Sequence, residues 1–154
     1  MQITKYISVA VAVSYAGLIF YLSSLQSPPN PVTPELLIKL HKMLVEMGIE
    51  FIAYPFYIFY RHPDKLAHML LYMGFGFTLN PAIRSTINKH PEALTIVFGT
   101  LYGASDEFHQ SFVPHRSSTV SDLFADFVGL LISQIVIIGM VKVIKLKNRR
   151  KVVQ

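Results

Sequence analysis

The 154-residue sequence has no cysteine and no tryptophan, and only 15% of it is charged. Without thiols there is no disulfide, no thiolate zinc site, no iron–sulfur cluster and no cysteine nucleophile. A thiol-free chain survives in either redox compartment, so the absence says little about location. The missing tryptophan removes a Trp-lined sugar platform. Charge falls well below the roughly 25% of an ordinary soluble domain, while hydrophobic residues reach 52% and the mean hydropathy is +0.44. These values exclude an ordinary soluble domain. Also missing are a serine elbow, a zinc-protease helix, a phosphate loop, a groove-reading or base-stacking module and a fixed-period repeat. No low-complexity linker divides the chain, so a single domain spanning 1–154 is the simplest organisation.

What is present is a series of apolar runs. A membrane helix needs about 20 apolar residues to cross roughly 30 Å of hydrocarbon, so four spans would take about 80 residues. The first run, Tyr6 to Leu25, carries no charge. It is longer than a signal-peptide core and has no clean small-x-small site after it, so it reads as a retained membrane helix. Pro28, Pro29, Pro31 and Pro34 end it and stiffen the linker. From Glu35 to Phe51, Leu36, Leu37, Leu40, Leu44, Met47 and Phe51 recur at three- and four-residue spacing. That pattern predicts an amphipathic helix lying flat on the membrane. The aromatic stretch Phe51, Tyr54, Phe56, Tyr57, Phe59, Tyr60, interrupted by Pro55, reads as an interfacial loop.

The second membrane helix is expected over Asp64–Leu79, stopping at Asn80-Pro81 before a polar loop with Arg84, Lys89 and His90. Pro91 suits the first turn of a third helix over Glu92–Phe112. A polar turn, Pro114–Ser121, leads to a fourth helix over Ser121–Val143 and a basic tail, 142–154. The expected fold is therefore an all-α membrane protein, a four-transmembrane-helix bundle with an extra interfacial amphipathic helix between helices 1 and 2.

Orientation follows from where Lys and Arg fall. With both termini in the cytoplasm, Lys5, Arg84, Lys89 and the six tail cations give nine on the inner side, against five on the outer side at Lys39, Lys42, Arg61, Lys65 and Arg116. The net charge of +5 is thus concentrated inward, where anionic leaflet lipid explains it better than nucleic acid does. Membrane lipids are the expected partners, and no nucleic acid is.

Ionisable residues are costly in a membrane helix, so each needs a reason. The second helix begins Asp64-Lys65-Leu66-Ala67-His68, the third ends Asp106-Glu107-Phe108-His109-Gln110, and the fourth begins Ser121-Asp122 with Asp126 a turn later. In the expected topology all three clusters reach the same, outer, level. At 100° per residue, Gly99, Gly103, Asp106, Glu107 and Gln110 fall within an arc of about 100°, and Asp122, Asp126, Gly129 and Ser133 within about 60°. Asp64, His68 and Tyr72 follow one another at i, i+4. Three polar stripes with small residues beside them predict a polar cavity opening outward.

Plainer roles compete for some of these residues. Asp122 can merely cap its helix, and Asp64 can do the same with Lys65 snorkelling and Arg61 as a neutralising partner. Asp106, Glu107 and Asp126 are harder to explain that way, being deeper or at a C-terminal end where the dipole disfavours anions. His41, His109 and His115 read as interfacial. Arg116, in a short turn between two acid-bearing helices, is placed to pair a carboxylate or grip a phosphate.

These residues resemble the VanZ-like family of small bacterial membrane proteins, named for a member associated with resistance to the glycopeptide teicoplanin. The resemblance rests on Asp64-Lys65-x-x-His68-x-x-x-Tyr72, on Tyr102-Gly103-x-x-Asp106-Glu107-x-x-Gln110-x-x-x-Pro114-x-Arg116, and on Asp122-x-x-x-Asp126-x-x-Gly129. It covers about 64–133, with Ser23-Ser24 also similar and the 28–61 insert outside this shared core. It implies a multi-pass protein of the bacterial cytoplasmic membrane with a cell-envelope role, and it supplies no reaction.

Three functions stay open on the residues. The first is a binding or accessory protein for an amphiphilic ligand such as a lipid-linked envelope precursor, a lipid head group or a lipoglycopeptide, held by Asp64, His68, Tyr72, Asp106, Glu107, Gln110, Arg116, Asp122 and Asp126. The second is an enzyme acting on such a lipid by acid–base or metal-assisted hydrolysis or transfer, with Asp106, Glu107, His68 and Asp126 as catalytic candidates. The third is proton- or ion-coupled transport, for which one small protomer leaves little room and a homo-oligomer is needed. No cofactor and no metal are assigned from the sequence.

Overall fold

The computed structural model describes residues 2–87 and 89–152, and among these residues it contains helices and no strand. Six helices follow in order: α1 (Gln2–Ser24), α2 (Pro34–Glu46), α3 (Glu50–Arg61), α4 (Pro63–Thr86), α5 (Pro91–Gln110) and α6 (Val120–Val152). Of these, α1, α4 and α6 are long and apolar enough to cross a membrane. The 20-residue α5 packs beside them but ends in the polar turn Asp106-Glu107-Phe108-His109-Gln110, which dilutes its hydropathy.

α4 is the centre of the bundle, packed against α6, α1 and α5. Ile19 of α1, Tyr72 and Phe75 of α4 and Leu130 of α6 form the buried core, with Tyr15, Leu71 and Tyr102 against it. Hydrogen bonds to backbone carbonyls lock α1 to its neighbours: Tyr102 donates to Ala16 at 2.7 Å and Tyr15 to Leu71 at 3.1 Å. Gly129 sets the closest approach of two helices, because a Cβ there would fall on the Met69 carbonyl and the Met73 nitrogen of α4. Gly99, where a Cβ would meet the side chain of Leu130, lets α5 close on α6. The Gly-x-x-x-Gly face is thus a packing face.

The helix limits depart from expectation in three places. The aromatic stretch expected as an interfacial loop is instead the helix α3, and α2 ends at Glu46 rather than Phe51. Gly48, at φ 74°, makes the turn between them, and Pro55 inside α3 removes a single donor. A helix satisfies nearly all remaining backbone groups, which an aromatic loop near lipid would leave bare. α4 continues through Pro81 to Thr86 instead of stopping at Leu79. Asn80 donates to Gln134 of α6 at 2.7 Å, and Ala82 and Ile83 are buried, so tertiary packing carries the helix past its missing bond. α6 runs on from the apolar span through the basic tail, whose last two residues lie outside the described ones.

The α2–α3 hairpin leans on the start of α4. Thr33 caps α2 by accepting from the Leu36 amide at 3.3 Å, with Pro34 in the first turn. Val32, Leu37 and Leu66 form a second buried cluster with Phe56 and Phe59. At the end of the bundle holding Thr86 and Pro91, Asn80, Gln134 and Ser133 form a polar network beside an Arg84–Glu92 ion pair. That network is absent from the sequence-level expectations.

Candidate functional site

Antiparallel succession brings four helix ends together: the C-termini of α1 and α5 and the N-termini of α4 and α6. The three polar stripes meet there. His68 lies at the centre, its Nδ1 3.0 Å from Asp126 Oδ1 and 4.0 Å from Glu107 Oε1, and its Nε2 4.0 Å from Asp122 Oδ1. Asp106, Glu107, Asp122 and Asp126 are all buried, Asp126 completely.

On one side Lys65 bridges α4 and α6. Its ammonium pairs with Asp64 at 2.9 Å, bonds Asp122, and reaches the Thr119 hydroxyl at 3.3 Å. Asp64 is therefore neutralised by Lys65, where Arg61 was the expected partner, and Lys65 is tied inward instead of snorkelling. Thr119, immediately before α6, does the capping expected of Asp122. Its hydroxyl accepts from the Asp122 amide at 3.2 Å and donates to Asp122 Oδ2 at 2.6 Å, and its own amide donates to Glu107 Oε2 at 2.9 Å. One residue so caps α6 and fixes the carboxylate of α5.

On the other side Ser23 of α1 donates to Asp106 Oδ1. The Gln110 amide nitrogen donates to Ser23 Oγ at 2.9 Å and to Asp106 Oδ2 at 3.0 Å, and its oxygen accepts from Arg116 Nη2 at 2.6 Å. Among the described residues Arg116 forms no ion pair, and its Nε is buried without a partner. Tyr72 is fully buried one turn beyond His68, its hydroxyl also unpartnered. His109 is peripheral, stacked on Phe20 and 3.1 Å from Ser24 Oγ.

Between these arms opens a cavity of about 370 Å³, within the roughly 300–1,000 Å³ usual for small-molecule sites. Ile19, Leu22, Ala67, Leu70, Leu71 and the Pro28–Pro31 segment give it an apolar side, and Ser23, Asp64, His68, Asp106, Gln110 and Arg116 a polar one. Nine candidate residues thus divide. Asp64, His68, Asp106, Gln110 and Arg116 line the cavity, whereas Tyr72, Glu107, Asp122 and Asp126 lie outside its lining. Sequence reasoning missed Thr119 as a hub and Lys65 as a bridge. Thr119-x-x-Asp122 at a helix start was the available signal for the first.

A family model described as VanZ/LLP1 matches residues 9–143. The match runs from α1 to the apolar part of α6 and so extends beyond the motif core at 64–133. No curated protein and no solved structure matches the chain.

Proposed function

The chain belongs to the VanZ/LLP1 family, and on that premise we propose that it is a multi-pass protein of the bacterial cytoplasmic membrane that binds an amphiphilic envelope ligand in the cavity between its helix ends. α5 serves as the fourth span, both termini face the cytoplasm, and the cavity opens outward. The inward excess of Lys and Arg supports that orientation. The observation that carries the reading is the two-sided cavity: an apolar wall for a lipid chain beside a polar wall for a head group. Arg116 supplies charge for an anion, since its guanidinium is held by Gln110 and, among the described residues, pairs with no carboxylate. Gln110 and Ser23, whose donor hydrogens are already taken up by one another and by Asp106, keep acceptor lone pairs for a sugar hydroxyl or an amide N–H. A lipid-linked phosphate precursor or the lipid tail of a teicoplanin-type glycopeptide satisfies both walls, and a contribution to resistance would act through the same site.

The test is thermal stability of the detergent-solubilised protein with a polyprenyl phosphate, a teicoplanin-type lipoglycopeptide, and a neutral diacylglycerol as control. A ligand that binds only the folded state, at 100 times its Kd, adds about 2.7 kcal/mol of stability. The expected result is a higher midpoint for wild type with an anionic amphiphile, lost in a folded Arg116→Ala variant. If no amphiphile stabilises wild type, and Arg116→Ala melts far below it, the polar cluster only holds the bundle together.

A further inference from the structure

Behind the cavity, His68, Glu107 and Asp126 each turn one donor atom toward the other two, all within 4.8 Å. We propose that these three residues bind a divalent first-row transition ion, of which Mn²⁺ and Zn²⁺ are representative. Bonds of about 2.0–2.2 Å to nitrogen and oxygen set neighbouring donors about 3.0–3.6 Å apart. His68 Nδ1 and Asp126 Oδ1 stand at 3.0 Å in a hydrogen bond that the ion would replace, and Glu107 Oε1, 4.0 Å from Nδ1, has only a short way to close.

One observation points directly to a ligand for this cluster. Glu107 Oε1 and Asp126 Oδ2 are buried with no hydrogen-bond partner among the described residues. A buried carboxylate oxygen without a partner is costly, and a cation removes that cost. The surroundings also hold one of the three groups in place, as the groups around a metal site orient its ligands. Glu107 is fixed through its second oxygen by the Thr119 amide at 2.9 Å, leaving Oε1 directed at His68. The far nitrogen of His68 faces Asp122, itself held by Lys65 and Thr119.

Charge argues the same way. Asp64, Asp106, Glu107, Asp122 and Asp126 bring five carboxylates to this end of the bundle, against the fixed cations Lys65 and Arg116. A divalent ion offsets most of that excess at the point where burial is deepest. One nitrogen and two carboxylates suit Mn²⁺ or Zn²⁺ better than Ca²⁺, which takes six to eight oxygens. The ion site does not depend on the amphiphile reading. His68 belongs to both the ion site and the cavity wall, so an ion here would present positive charge to an anionic head group.

The test uses the full chain in detergent, stripped with chelator and titrated with Mn²⁺ under electron paramagnetic resonance. The expected result is loss of the free-ion signal at one Mn²⁺ per chain, with ¹⁴N coupling from a single imidazole and displacement by Zn²⁺. Folded Glu107→Gln and Asp126→Asn variants should bind at least about 10-fold more weakly, while Glu35→Gln on α2 binds as wild type. If the two carboxylate variants do not fold, the ¹⁴N coupling in wild type and its loss in His68→Gln decide the matter. A free-ion signal that persists, bound Mn²⁺ without ¹⁴N coupling, or undiminished binding in the folded carboxylate variants would overturn the proposal. Amphiphile binding without metal binding would sink this inference alone.

Discussion

Thr119 joins three parts of the site, capping α6, holding Asp122 and directing Glu107. Thr119→Val removes the hydroxyl but keeps the amide, so the cap and the Asp122 bond are lost while the Glu107 contact survives. The expected cost is about 1 kcal/mol, in the range of lost N-caps, read as a lower unfolding midpoint with ligand binding retained. Loss of binding with unchanged stability would contradict this division of labour. Gly129 is the second informative residue. With Met69 and Met73 backbone where a Cβ would stand, Gly129→Val must push α6 from α4, and a polydisperse or unfolded protein is expected on gel filtration. A well-folded variant would show that the helices have another way to pack. Much of this scale is legible in the sequence, since 100° per residue already groups Asp64, His68, Asp106, Glu107, Gln110, Asp122 and Asp126 onto facing stripes. Ser23, Lys65 and Thr119 are not, because each acquires its role from a partner on another helix.

Among the elements, the α2–α3 hairpin carries the exposed aromatic surface, with Phe51, Tyr54 and Tyr57 all turned away from the protein. Aromatic rings favour the headgroup level, and a hairpin packed through Leu37, Phe56 and Phe59, with the preceding Val32, onto the α4 start is suited to lie along that level. The chain has no tryptophan, so Phe51→Trp gives a single reporter. Its fluorescence should be quenched by lipids brominated near the head group and little by lipids brominated near the chain end. The reverse order, or no quenching, would place α3 elsewhere. The amphipathic period of α2 announces a helix, whereas Pro55 and dense aromatics make α3 resemble a loop. Local propensity misleads there, and also at Pro81, because one absent donor costs less than the packing it interrupts. Asn80 and Gln134 restore part of that loss. Replacing Gln134 with Leu should cost about 0.6–2 kcal/mol, the range for interhelical polar contacts in membranes, measured as a lower midpoint with cavity binding intact.

For the whole molecule, the four helix ends meet only if α1, α4, α5 and α6 alternate in direction, and the apolar runs with their intervening polar turns make that alternation readable in advance. The proposed side of the membrane rests on charge rather than packing. Because the chain lacks cysteine, Ser118→Cys and Lys147→Cys each provide one thiol without background. A membrane-impermeant maleimide added to intact cells should label Ser118→Cys and reach Lys147→Cys only after permeabilisation; the opposite pattern would invert the proposed topology. A polar cavity is legible in the three stripes, but its apolar wall is not, because that wall needs the Pro28–Pro31 segment folded back against α4, far from the motifs. The central claim is that this cavity holds an anionic amphiphile. Its most direct measurement is photocrosslinking in membranes with a diazirine-bearing polyprenyl phosphate, followed by peptide mapping. Adducts concentrated on Leu22–Pro31 and on Ala67–Leu71, suppressed by excess unlabelled polyprenyl phosphate and by Arg116→Ala, are the predicted result. Adducts spread over the lipid-facing sides of α1 and α6, insensitive to competitor and to Arg116→Ala, would contradict it.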